Sequence, residues 1–310
     1  MVAVGALVLV TAIWGLTFVQ VKDAVELYPL FAFLAVRFAI ATAVLAPSAL
    51  RPLRALPRHG WVAGAGLGLL LAAGYALQTA GLERTTVSNA GFITGLYVVF
   101  TPLAAVVLLQ VRIGAAVWAG VALSTAGLAL LSGVGGGDRV GDLLVLLGSA
   151  AYSLQIALME RYAPRHDPVA FTFVEMLAAF AGFTVVAVAL GQVELPRGWT
   201  VWSALLVTGV FASALAFLVQ TWAQQRTSAT RTALAFALEP VWAAAFGFWL
   251  AGDRLSAVAW VGAVLIMAGI VVAEPAAARA LRQLLPRSAS DRRAGRARRP
   301  RGARRRRGGP

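Results

Sequence analysis

Gln78-Thr79-Ala80-Gly81-Leu82-Glu83-Arg84-Thr85 returns, 142 residues later, as Gln220-Thr221-Trp222-Ala223-Gln224-Gln225-Arg226-Thr227. At the same offset Arg112, Trp118, Gly120 and Gly127 return as Arg254, Trp260, Gly262 and Gly269. Both copies lie in almost continuously apolar text, so the chain reads as a duplicated unit. Outward from these stretches, five apolar segments can be drawn in each copy. An odd number of spans forces the second copy to enter a bilayer upside down relative to the first.

Composition supports the membrane reading. Of 310 residues, 60% are hydrophobic and only 13% charged, and the mean hydropathy is +0.79, which leaves too little polar surface for a soluble globule. The charges gather in short gaps between apolar runs of about 17 to 25 residues, the length that crosses a hydrocarbon core of roughly 30 Å. Ten runs can be drawn, at 2–21, 29–50, 61–82, 86–109, 115–131, 143–162, 168–190, 199–225, 232–250 and 256–273. The expected fold is therefore an all-α integral membrane protein with ten transmembrane helices as two inverted five-helix repeats. The gaps leave no room for a catalytic domain outside the membrane, so function must lie between the helices or in the tail. The chain has no cysteine, which removes thiol and disulfide chemistry. No Lys or Arg precedes the first apolar run, so that run reads as a retained helix rather than a cleaved signal.

The net charge of +14 belongs to one end of the chain. Residues 274–310 hold 13 Arg against Glu274 and Asp291, whereas residues 1–273 hold 14 Lys plus Arg against 11 Asp plus Glu. The organisation expected is a first repeat at 1–133, a glycine-rich linker at 134–140, a second repeat at 141–274 and a disordered Arg-rich tail at 275–310. The tail reads first as a solvated, orientation-setting end, with anionic lipid or nucleic acid as its sharper alternative. Under the positive-inside rule it places both termini in the cytoplasm. Inner loops then carry Arg51, Arg54, Arg58, Arg112, Arg161, Arg165, Arg226 and Arg231, and outer loops carry Lys22, Arg84, Arg139, Arg197 and Arg254 with most of the loop acids. The Ala, Gly, Val and Arg content suits a bacterial plasma membrane.

Ala237-Leu238-Glu239-Pro240, continuing through Gly252-Asp253-Arg254-Leu255 and Trp260-Val261-Gly262 to Ala268-Gly269 and Glu274, resembles the last two helices of EamA-type proteins of the drug/metabolite transporter superfamily. Ile13-Trp14-Gly15-Leu16-Thr17-Phe18 is similar to that family's first-helix signature, and Arg37 stands where its second helix often carries an arginine. The resemblance covers residues 1 to about 274. It implies a ten-helix carrier of small metabolites, often an exporter of amino acids or related compounds, with a central cavity between the repeats.

Three ionisable residues, Arg37, Glu175 and Glu239, fall well inside the expected spans, where a charge costs roughly 2.5–3.5 kcal/mol on insertion scales. They are expected to face a polar cavity or one another. Pro240 follows Glu239 directly and cannot donate a backbone hydrogen bond, so it should free the carbonyl of Phe236 and bend the helix beside the carboxyl group. Carbonyl and carboxyl together form a candidate cargo or cation site, and proton coupling through Glu239 is the hypothesis attached to it. Pro102 should likewise free the carbonyl of Val98, and at the 142-residue offset the position matching Glu239 is Tyr97. The resemblance places Trp14, Tyr75, Tyr152 and Trp222 in helices around the cavity, as amphipathic rings. Gln78 and Gln220, near helix ends, read as interfacial amides. Gly120, Gly127, Gly262 and Gly269 read as packing seams within the chain, with a homodimer as the less simple use.

No phosphate-binding Gly-x-x-x-x-Gly-Lys-Ser/Thr sequence exists, so transport would draw on a gradient, on exchange or on the cargo. The leading expectation is a secondary transporter exporting a small metabolite by alternating access. The alternatives are efflux of drugs or organic cations, or a membrane scaffold with a basic tail. An enzyme is not expected, because His59 and His166 lie in expected loops and no paired-histidine metal sequence or glycine-flanked serine is present. Neither metal nor cofactor is expected. The partners expected are a small-molecule cargo and membrane lipid.

Overall fold

Long apolar runs leave the backbone no hydrogen-bond partner but itself, and the described residues form helices with no strand among them. A computed structural model of the chain describes residues 2–85, 87–132, 138–246, 249 and 256–273. The glycine-rich stretch 133–137, the segment Gly252-Asp253-Arg254-Leu255, Glu274 and the arginine-rich tail lie outside the described residues. Among the described residues, six helices are long and apolar enough to cross a membrane: Leu30–Leu53, Arg58–Leu82, Ala90–Leu109, Arg139–Arg165, Pro168–Ala189 and Gly198–Gln224. Val2–Thr17, Ala115–Leu131 and Ala257–Ala273 are shorter apolar stretches.

The elements are α1 (Val2–Leu27), α2 (Leu30–Leu53), α3 (Arg58–Leu82), α4 (Val87–Gly95), α5 (Tyr97–Leu109), α6 (Ala115–Ser132) and α7 (Arg139–Tyr162). They continue as α8 (Pro168–Ala189), α9 (Gly198–Gly209), α10 (Ala216–Gln224), α11 (Ala229–Phe236), α12 (Glu239–Phe246) and α13 (Ala257–Ala273). A wider, π-helical turn at Val210–Leu215 joins α9 to α10. Starts follow capping chemistry. Asp167 accepts from the backbone N–H groups of Val169 and Ala170, both at 3.0 Å, with Pro168 at the first helical position of α8. The sequence reading ends the first helix at Val21, but α1 runs on to Leu27 and places Lys22, Asp23 and Glu26 on the helix rather than in a loop. Charge ends an apolar run without ending a helix; α1 stops just before Pro29, which disfavours helical geometry at Tyr28.

Two expected spans are broken. α4 stops at Gly95 and α5 starts at Tyr97, while α11 stops at Phe236 and α12 starts at Glu239. Leu96 and Leu238, one in each gap, are equivalent at the repeat offset. Pro240 accounts for the second gap by removing the donor that would close the turn onto Phe236. The first has no such proline: Pro102 sits inside α5, so the break lies upstream of the residue that sequence reasoning singled out.

Small residues bring the helices together. A methyl group on Gly127 would lie 2.6 Å from the carbonyl oxygen of Gly262, and one on Gly262 would lie 2.6 Å from that of Gly127. Gly120 and Gly269 face each other in the same way, so α6 and α13 touch backbone to backbone through the four repeated glycines. α2 packs on α8 over a core of Phe33, Phe38, Phe183 and Leu205, and α3 packs on both α7 and α8. The loops collect into two groups. In one, the rings of His59 and His166 lie 5.2 Å apart and Gln225 Nε2 donates to the carbonyls of Ala163 and His166. Burial, with His59 and Arg165 beside it, pushes the His166 imidazole below its ordinary pKa. In the other group Tyr28 Oη donates to the Glu194 carbonyl at 2.6 Å and Thr85 Oγ1 donates to Asp142 Oδ1 at 2.6 Å.

Candidate functional site

Between the helices lies a cavity of about 90 Å3, room for several waters, walled by residues from nine helices. Arg37 of α2 enters it from one side. Its Nε donates to Ser213 Oγ at 2.8 Å and its Nη2 donates to Tyr75 Oη at 3.1 Å, while the guanidinium carbon lies 4.7 Å from the centre of the Tyr75 ring. The arginine is thus held by hydroxyls and a ring face, not by Glu175 or Glu239. Ser213 belongs to the π-helical turn, where the looser backbone also presents the Ala212 carbonyl to Trp14 Nε1 at 2.8 Å. One irregular turn therefore positions both Arg37 and Trp14.

From Tyr75 the wall continues as a chain of hydroxyls and amides. The rings of Tyr75 and Tyr152 meet edge to face at 5.5 Å, and Gly74 permits this, because a methyl group there would lie 2.5 Å from the Tyr152 ring. Tyr152 Oη donates to Gln78 Oε1 at 2.9 Å, and Gln78 Nε2 donates to Thr94 Oγ1 at 2.9 Å. Gln78 and Gln220, read from sequence as interfacial amides, both line the cavity. Their repetition was the available signal for them. Thr94 and Gln155, also on the wall, carried no signal beyond being polar in apolar text.

The two helix breaks meet across the cavity. Tyr97 opens α5 and Glu239 opens α12, and Tyr97 Oη lies 2.8 Å from the Phe236 carbonyl oxygen and 3.3 Å from Glu239 Oε2. The carbonyl that Pro240 frees is therefore taken by the Tyr97 hydroxyl instead of standing open to cargo. Each break supplies one member of a contact between equivalent positions of the two copies.

With this geometry in place, the family model for EamA-like transporters matches residues 1–133 and 139–273. The chain belongs to the EamA-like transporter family. A protein of Archaeoglobus fulgidus named "Uncharacterized transporter" is 32% identical over 271 residues, 86% of this chain and 83% of its own length. The "Uncharacterized inner membrane transporter YedA" of Escherichia coli K12 is 27% identical over 278 residues, 86% of this chain and 89% of its own. A solved structure described as "Crystal structure of protein" superposes with a TM-score of 0.74 over 90% of this chain and 97% of its own at 22% identity, which speaks to the fold alone. This EamA-like chain is a multi-pass membrane protein of a transporter family.

Within the EamA-like fold, Trp14, Arg37, Tyr75, Tyr97, Tyr152 and Glu239 share the cavity wall. Glu175, Trp222, Pro102 and Pro240, also singled out from sequence, do not. Glu175 is fully buried behind the wall, bonded to Gln155. Trp222 lies near the end of α10 beneath the guanidinium of Arg226, 4.5 Å from its ring centre. Pro102 is buried within α5, and Pro240 acts through the break and not through a surface of its own.

Proposed function

We propose that the chain is a secondary transporter, not an enzyme, in which two inverted five-helix halves making ten spans expose the central cavity alternately to the two sides of the plasma membrane. Both termini face the cytoplasm, and the cargo is a small exported metabolite carrying a carboxylate and an amine, such as an amino acid. The observation that carries this reading is that Arg37 and Glu239 line one cavity together with Trp14, Tyr75, Tyr97 and Tyr152. A guanidinium with N–H groups beyond the two bonded to Ser213 and Tyr75 offers itself to a carboxylate, and a carboxyl group offers itself to an amine. Glu239 is also where a proton is exchanged for cargo. The aromatic wall favours organic cations as the competing cargo class, since ring faces attract positive charge.

Flux in proteoliposomes, across a panel of amino acids, nucleobases and organic cations with and without a pH gradient, tests the reading. Uptake of a zwitterion that responds to the gradient is expected, with Glu239→Gln abolishing that response while membrane insertion persists. Flux of organic cations alone would transfer the site to the competing class. A gradient response that survives Glu239→Gln would remove Glu239 from the coupling role.

A further inference from the structure

Behind the wall formed by Gln155 and Gln220 the protein buries a second polar cluster. Glu175 of α8 is fully buried, and its Oε1 accepts from Gln155 Nε2 at 2.6 Å. Gln220 Nε2 donates to Gln155 Oε1 at 3.1 Å and to Gln224 Oε1 at 2.9 Å, and Gln224 Nε2 donates to the Ile156 carbonyl at 2.8 Å. Every amide nitrogen of the cluster thus donates at least one hydrogen bond. Two acceptor oxygens, Glu175 Oε2 and Gln220 Oε1, are buried with no donor. A buried carboxylate with one amide for company is costly, because the charge lost to water is not replaced.

Among the described residues no hydrogen bond joins a charged side chain to Glu175. On the helices around it, away from the loop ends, the titratable side chains are Arg37 on α2, Tyr75 on α3 and Tyr152 on α7; Glu160 on α7 accepts from the Ala229 backbone N–H, and α10 carries none. Arg37 donates to Ser213 and Tyr75 rather than to Glu175, and Tyr152 donates to Gln78. Arg51, Arg54, Arg58 and His59 stand at or near the loop ends of α2 and α3.

We propose that the cluster of Glu175, Gln155, Gln220 and Gln224 binds a small monovalent cation, a proton or Na+, at a site separate from Glu239. The ligand chemistry sets the class. One carboxylate with amide oxygens offers a single negative charge and hard oxygen donors, and among the described residues no three His, Asp or Glu side chains gather as a multivalent metal would require. A proton would bond to Oε2 and supply the donor that oxygen neighbours lack. Na+ would draw on the same unpartnered oxygens. Gln155 and Gln220 belong both to this cluster and to the cavity wall, so occupancy at Glu175 repositions two residues that face the cargo. This last consequence rests on the transporter reading; the cation site does not.

Infrared difference spectroscopy of the purified full chain in nanodiscs tests the site without any cargo. Wild type and Glu175→Gln are compared across a pH titration, and then with NaCl against choline chloride at constant pH. A protonated-carboxyl band present in wild type and missing in Glu175→Gln identifies the proton; a carboxylate shift induced by Na+ and lost in Glu175→Gln identifies Na+. Superimposable wild-type and variant spectra in both arms would overturn the proposal. Gln155→Leu keeps the carboxyl group but removes its donor, so it should move the Glu175 band without deleting it, and an unmoved band would count equally against the site. A failed flux assay leaves these spectra interpretable, and failed spectra leave the flux reading intact.

Discussion

Tyr97 has one hydroxyl hydrogen and two acceptors within reach, the Phe236 carbonyl at 2.8 Å and Glu239 Oε2 at 3.3 Å. When Glu239 carries a proton, its own O–H can donate to Tyr97 while Tyr97 keeps the carbonyl. When Glu239 is ionised, it competes for the same hydrogen and the carbonyl at the helix break loses its partner. Replacing Tyr97 by Phe removes this choice and keeps the ring. It leaves the buried carbonyl without a donor, a cost of about 1–3 kcal/mol. The expected result is a protein that inserts normally, melts at lower temperature in detergent and shows a displaced pH profile of flux. A pH profile identical to wild type would reduce Tyr97 to a packing ring. Sequence made half of this legible: Pro240 marks the freed carbonyl, and the repeat offset pairs Tyr97 with Glu239. That paired positions also touch needs two remote breaks to converge, which no local pattern records.

The helices show the same division between local and non-local information. Apolar run length located the six helices long enough to cross a membrane, and the seven-residue glycine spacing located the faces on which α6 and α13 meet. The π-helical turn that holds Arg37 and Trp14 has no sequence mark, because Val210-Phe211-Ala212-Ser213-Ala214-Leu215 reads as ordinary helix. The break at Leu96 is equally silent, with its nearest proline inside α5. At the glycine seam the prediction is direct. Gly127→Val and Gly262→Val each drive a side chain into the facing carbonyl, and overpacking of this kind costs about 1–3 kcal/mol. Thermal unfolding in detergent should show both variants losing stability, whereas Ala122→Val, on the exposed face of α6, should match wild type. Loss of a dimer with unchanged monomer stability would instead place the seam between chains.

At the scale of the molecule, the loops divide into two groups whose charges differ. One gathers the α2–α3, α7–α8 and α10–α11 connections with Arg54, Arg58, Arg161, Arg165 and Arg226 beside Asp167, and the other gathers the α1–α2, α3–α4 and α8–α9 connections with Glu83, Asp142 and Glu194 beside Arg84, Arg139 and Arg197. Under the positive-inside rule the proposed orientation makes the first group the inner one. Because the chain contains no cysteine, every introduced thiol reports alone. Ala55→Cys and Arg165→Cys sit exposed in the first group, and Glu83→Cys and Val193→Cys sit exposed in the second. In intact cells a membrane-impermeant maleimide should label Glu83→Cys and Val193→Cys, and it should label Ala55→Cys and Arg165→Cys only after the membrane is opened. The opposite pattern would invert the protein in the membrane and leave the architecture standing. Mixed labelling within either group would break the inverted ten-span arrangement itself, since a chain that crosses an odd number of times per repeat must return equivalent loops to opposite sides.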